Sequence, residues 1–196
     1  IMSGIILYNY SGYNSDVSLN NLAQDIALNI RKAQISAISV KGVNVGLATE
    51  FPGFGIHFKI PSNSDPTAGG EKSFIYFADL SPGNKIYEQA SLTCDSSNLS
   101  HGEGNSNECL DIISIKSSDI ISEICLNDEN DCYSAGALPV LDIVFTRPNL
   151  EANFNFHTFD SGNTNSISAV IIKVKNTKTD KVKEITVRST GQISVK

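Results

Sequence analysis

Residues 17–41 read VSLNNLAQDIALNIRKAQISAISVK, and the apolar positions in this stretch fall at Leu19, Leu22, Ala23, Ile26, Ala27, Ile30, Ala33, Ala37 and Val40. Steps of three and four place these residues on one face of a helix, which is the pattern of an amphipathic α-helix with a single stripe to bury. The stripe stops at Gly42, a residue that commonly ends helices. Asn21, Gln24, Asp25, Asn29, Lys32 and Ser36 fall between the apolar positions and are expected to face water. Upstream, Gly12 and the pair Ser15-Asp16 either cap a helix that restarts at Val17 or lie within one continuous helix with a weak point. A continuous helix from residue 2 to 41 would be about 60 Å long, more than a small globular body covers.

After Gly42 the periodicity changes to two. Strands are expected at Val43 to Glu50, Gly55 to Ile60, Lys72 to Asp79, Leu110 to Lys116, Ile120 to Leu126, Val140 to Thr146, Ala152 to Phe159, Ala169 to Lys175, Val182 to Arg188 and Gln192 to Lys196. Pro82-Gly83-Asn84 is turn chemistry, and predicts a hairpin between Ser73–Phe77 and Lys85–Glu88. Pro61 to Gly70 and Ser96 to Asn107 read as exposed loops. The expectation is an α+β fold: a helical stalk at residues 1–41, packed on a β-rich head of two antiparallel sheets at residues 42–196.

The chain has 196 residues, 40% of them hydrophobic and 18% charged, with no Trp and a net charge of −6. That balance excludes a surface built throughout to follow nucleic acid, which requires a basic footprint. The charge is uneven: Lys173, Lys175, Lys178, Lys181, Lys183, Arg188 and Lys196 face only Asp180 and Glu184 within the last 26 residues. No aromatic residues interleave these cations as stacking platforms would, so the segment reads as a solvated strand face rather than a nucleic-acid site.

Four cysteines, Cys94, Cys109, Cys125 and Cys132, follow the spacing C-x14-C-x15-C-x6-C. There is no C-x2-C knuckle for zinc, and an even set points to two disulfides. Local pairing, Cys94 with Cys109 and Cys125 with Cys132, closes two Ser/Asn/Gly/Asp-rich loops and is worth about 2–3 kcal/mol each. Oxidised cysteines imply an extracytoplasmic location; buried free thiols are the alternative.

The first residues, Ile1-Met2-Ser3-Gly4-Ile5-Ile6-Leu7, are apolar but shorter than the roughly 20 residues of a membrane span. Tyr8, Tyr10 and Tyr13 follow where headgroups would lie, so the segment reads as the exit end of a membrane helix whose preceding part lies upstream; the alternative is the start of a buried amphipathic helix in a wholly soluble protein.

Catalytic and metal chemistry find little purchase. His57, His101 and His157 are isolated, with no ligand partner at metal spacing, and His57 and His157 alternate with aromatic and aliphatic residues as strand-surface positions do. There is no G-x-S-x-G elbow, and Gly69-Gly70-Glu71-Lys72-Ser73 misses the phosphate-loop spacing. Asp128, Glu129 and Asp131 could offer oxygens to Ca²⁺ but lack the pattern of a calcium loop, so they read as a solvated turn, as do Glu103 and Glu108. No catalytic residue, cofactor or metal ligand is assigned.

Leu22–Ile38 followed by Lys41-Gly42 resembles the helix of type IV pilin-like proteins, in particular minor pseudopilins (H-type) of type II secretion systems and related minor pilins. Phe74–Leu80, Val144–Pro148 and Glu184–Val195 are similar to strand segments of that group. The group's prepilin motif, a glycine followed by Phe-Thr-Leu-Ile-Glu, is not in the chain, whose fifth residue is Ile5, and is expected upstream. The resemblance implies a non-enzymatic structural subunit, anchored in the inner membrane by the segment before Ile1 and later part of a cell-surface or periplasmic filament. Its partners would be other pilin or pseudopilin subunits, packed through Leu19, Leu22, Ile26, Ile30, Ala33 and Ala37. Some minor pilins bind DNA through a carboxy-terminal Gly-Arg; this chain has Gly191-Gln192. The second reading is a secreted or surface adhesive β-sandwich whose disulfide-closed loops form a ligand rim. A third, a small extracellular hydrolase, would need a deep pocket with two converging carboxylates.

Overall fold

The computed structural model describes residues 14–60, 70–88, 94–101, 106–158 and 166–196, together with the helical backbone of residues 2–13. One helix, α1 (Met2–Ile38), precedes twelve strands. A hairpin of β1 (Val43–Val45) and β2 (Ala48–Glu50) leads into β3 (Gly53–Lys59) and β4 (Ser73–Asp79). Then follow β5 (Cys109–Ser114), β6 (Asp119–Leu126), β7 (Cys132–Ser134), β8 (Val140–Phe145) and β9 (Ala152–His157). The chain finishes with β10 (Ala169–Asn176), β11 (Val182–Arg188) and β12 (Ile193–Val195). Besides the hairpin there are two five-stranded sheets, ordered β12-β11-β10-β6-β7 and β5-β4-β3-β8-β9, antiparallel throughout.

The expected α+β division into a stalk laid on a separate two-sheet head is corrected. The described residues form a β-rich domain with a single α-helix and three sheets, and α1 lies against both large sheets as part of their core. One hydrophobic cluster joins Leu19, Ile26 and Ile30 of α1 to Phe54 and Phe145 on one sheet and Ile172 and Ile185 on the other. The physical reason is that a stripe this wide has two sides. Ala23, Ala27, Ala33 and Ala37 are small enough to let strands approach from both, so the helix fills the space between the sheets. Ser36, expected in water, is buried because its Oγ accepts a 2.9 Å hydrogen bond from the Tyr76 hydroxyl, over which Lys32 Nζ sits 4.4 Å from the ring centroid.

Helix α1 runs without a break past Gly12 and Ser15-Asp16, so no new helix starts at Val17. Its end is set by Val40 rather than Gly42. Val40 takes a left-handed conformation (φ 56°), with Val40 N–H donating to Ala37 O and Lys41 N–H to Ser36 O, which is the Schellman pattern. Gly42 serves close packing, since a Cβ there would lie 2.9 Å from the Thr49 methyl and 3.1 Å from the Phe51 ring.

The expected strand Val43–Glu50 is two strands, folded at Gly46 (φ 59°). The expected hairpin partner Lys85–Glu88 is not a strand; β4 pairs with β3 and β5 instead. Amides at both ends of that segment are already taken, Glu88 N–H by Glu108 Oε2 (2.8 Å) and Lys85 N–H by Asp79 Oδ1 (3.0 Å), while Glu108 Oε1 accepts from Leu80 N–H (2.9 Å) just after β4. β7 was not expected from the sequence. Residues 61–69, Gly69 of the excluded phosphate-loop candidate, Glu103, Phe159 and the side chains of Tyr8, Tyr10 and Tyr13 lie outside the described residues.

Candidate functional site

The six helix positions assigned to subunit packing are used within the molecule. Leu19, Leu22, Ile26, Ile30, Ala33 and Ala37 are at most 8% exposed and line the domain's own core. Any surface that α1 offers to a partner is therefore its other face. There, Val17, Leu28 and Ile35 are 40%, 61% and 64% exposed. Spacings of eleven and seven residues bring the three within about 20° of one another around the axis, opposite the buried stripe. They form an aliphatic line along the outside of a helix whose inside is fully committed. Ile38, 41% exposed, lies about 60° to one side of it at the carboxy-terminal end.

The same helix is fixed to the sheets by polar contacts at both ends of the buried stretch. Near its start, Ser18 Oγ donates to Asp119 Oδ2 at 2.6 Å, and Lys181 Nζ meets Asp16 Oδ2 at 2.6 Å. Asp119 is wholly buried and also accepts from Ser117 Oγ and Asn176 Nδ2, both at 2.6 Å. Burial pushes its pKa up, but hydrogen bonds from Ser117, Ser18 and Asn176 and the charge of Lys72 outweigh that and hold it below the usual carboxylate range. Near the helix end, Gln34 Nε2 donates to Leu150 O (3.2 Å) and Gly191 O (3.1 Å). Gly191 has φ 83°, and a Cβ there would lie 2.2 Å from Leu150 O, so only glycine fits.

Both cysteine pairs are closed as expected, Cys94–Cys109 and Cys125–Cys132. The second joins residues that already face one another across β6 and β7. Two disulfides suit an oxidising, extracytoplasmic setting. Reduction should therefore act unequally. Opening Cys94–Cys109 frees a fifteen-residue separation and should cost about 3 kcal/mol, more than opening the seven-residue Cys125–Cys132 closure, as paired Cys→Ser variants in urea titrations would measure.

Of the two histidines expected on strand surfaces, His157 is exposed on β9 and only the position of His57 is corrected. His57 is buried, not on a strand surface; its Nδ1 lies 2.7 Å from Asp142 Oδ1, and Tyr87 covers its ring at 4.7 Å. His101 lies 3.1 Å from Glu50 in an exposed contact, and His157 is exposed at the end of β9. Glu108, expected in a solvated loop, is 3% exposed; burial pushes its pKa up to about 8 against the opposing pull of the Glu88 and Leu80 amides. Burial likewise raises Asp79. Glu108 and Asp79 spend their oxygens on the backbone of residues 80–88, so this group of carboxylates works as a clasp for that segment. Neither His57 nor Glu108 has a sequence signal that sets it apart, because the partners that bury them come from distant strands.

Asp128, Glu129 and Asp131 are exposed, and Asp128 Oδ1 caps the Asn130 amide at 2.7 Å, the geometry of a solvated turn. Among the described residues, the one grouping of metal-type side chains is Glu123, Cys125 and Cys132, whose sulfurs are bonded to each other. The carboxy-terminal cations are largely paired: Lys173 with Glu123, Lys175 with Asp180, Lys181 with Asp16 and Lys196 with Glu129. Among the described residues no helix is long and apolar enough to cross a membrane. Comparison of the chain with protein-family models, with curated proteins and with solved structures finds no match.

Proposed function

We propose that the chain is a non-enzymatic structural subunit, a minor pilin or pseudopilin of a type IV pilus or type II secretion filament. It assembles through the outward face of α1 and is membrane-anchored before assembly by a segment preceding Ile1. The observation that carries this reading is the exposed line Val17, Leu28 and Ile35 on a helix whose opposite face is already buried. The two disulfides support an extracytoplasmic setting for it. Packing a partner helix along that line removes apolar surface from water at about 25 cal/mol per Å².

Burial of these side chains contributes a few kcal/mol per contact, below the roughly 4–15 kcal/mol that association of two free bodies costs. A polymer in which each subunit touches several neighbours, held in one membrane plane beforehand, overcomes that cost where a pair in solution does not. In the producing cell, Leu28→Glu combined with Ile35→Glu is expected to reduce assembled filaments, counted by immunogold microscopy, by about tenfold or more. Each subunit's stability should stay within about 0.5 kcal/mol, because both positions are exposed. Normal filament counts in the double variant would overturn the reading.

A further inference from the structure

A second surface concerns how successive subunits meet, and it rests on the filament reading above. At the amino-terminal end of the body, a groove of about 550 Å³ opens between α1 and the start of β11, lined by Asp16, Val17, Asn20, Lys181, Val182 and Lys183. Its floor is apolar at Val17 and Val182, which are 40% and 46% exposed. Lys183 has no ion-pair partner among the described residues. At the other end of the body the turn after β8 presents Leu150, 53% exposed, next to Glu151, which is likewise exposed and without an ion-pair partner among the described residues.

The two features share one flank of the helix. Lys181 reaches α1 at Asp16, and Leu150 is held to α1 at Gln34. Asp16 and Gln34 are eighteen residues apart, which is five full helical turns and about 27 Å along the axis. One end thus presents an aliphatic side chain beside an anion, and the other an aliphatic groove beside a cation, at the same azimuth. A contact of this kind joins unlike surfaces and leaves a free copy of each at the two ends, so it propagates instead of closing.

We propose that the occupant of the groove is a second copy of this chain, whose Leu150 enters between Val17 and Val182 while its Glu151 pairs with Lys183. The hydrogen bond from Gln34 Nε2 to Leu150 O and the close approach of Gly191 to the same carbonyl hold the inserted turn, so little order is lost when it docks.

The test uses the full chain in assembling cells, carrying Leu150→Cys and Val182→Cys. Within one subunit Val182 lies at the Asp16 end and Leu150 at the Gln34 end of that stretch of α1, and these helix positions are about 27 Å apart, far beyond disulfide reach, so an oxidised product links two subunits. The expected result is a covalent ladder. Lys183→Glu or Glu151→Lys alone should reduce it by about tenfold, and the two reversals together should restore it. Absence of the ladder in cells that still assemble filaments, or no restoration by the double reversal, overturns this contact. Filament counts in Leu28→Glu, Ile35→Glu are read separately, so that loss of the α1 packing is not confused with loss of the groove contact.

Discussion

Asp119→Ala is expected to lower the stability of the domain by about 3 kcal/mol or more, the cost of removing a buried carboxylate and leaving its hydrogen-bond donors unsatisfied. The carboxylate is fully buried and accepts from Ser18, Ser117 and Asn176, each at 2.6 Å. Lys72 Nζ, donating to the carbonyls of Ser117 and Asp119, supplies the nearby positive charge. Alanine leaves three donors without their acceptor and removes a negative charge near Lys72. The effect should also be specific to α1, since Ser18 is the helix's share of the network. A double-mutant cycle with Ser18→Ala in urea titrations should return a coupling of about 1 kcal/mol or more, and a coupling near zero would show that Asp119 does not tether the helix. The pH dependence has a definite sign. Because the folded pKa is depressed, this stabilisation is present above the unfolded carboxyl value and disappears as pH falls through the folded one.

Glu108 works in the opposite direction. Its pKa in the folded protein, about 8, lies above the ordinary 4.5, so the native state holds the proton more tightly than the unfolded chain. The stabilisation is complete below about pH 4.5 and is lost as pH rises towards and through about 8. A shift of this size corresponds to at most on the order of 5 kcal/mol. Glu108→Gln keeps an oxygen for one of the Leu80 and Glu88 amides but cannot ionise. The variant should therefore be less stable than the parent at pH 5 and should close the gap or overtake it by pH 9. Melting curves of the two proteins that run parallel from pH 5 to pH 9 would rule out Glu108 as the source. Asp79, raised by burial as well, contributes a slope of the same sign that persists in the variant.

Much of the β-rich body was legible because its signals are local. Alternation along Ile56, Phe58 and Ile60, or along Ile172 and Val174, states which side chains point inward. The cysteine pairs were legible for the same reason, each closing a short polar loop. The helix stripe was legible, but its use was not. Leu19, Leu22, Ile26 and Ile30 show only that one face must be covered, and the sequence does not say whether its own sheets or a neighbour cover it. The outward line of Val17, Leu28 and Ile35 is diluted by Asn21, Gln24 and Arg31, so it emerges only once the inner face is known to be full. The burial of His57 by Asp142, 85 residues away, and of Glu108 by the turn at 80–88 depends on strand order, which periodicity does not carry. Val40 as the helix terminator runs against residue preference, since a β-branched side chain disfavours positive φ; the hydrogen bonds from Val40 N–H to Ala37 O and from Lys41 N–H to Ser36 O close the helix there all the same.

The bond between Cys94 and Cys109 has a practical corollary for anyone handling the protein. A protease that nicks the chain anywhere from Asp95 to Glu108 leaves two pieces joined through sulfur. Such material migrates as an intact species on a non-reducing gel and separates into fragments only once a thiol is added. Purity judged without reductant would overlook the damage, while the clipped molecules, having lost chain continuity beside Glu108, would count as full-length in every concentration measurement.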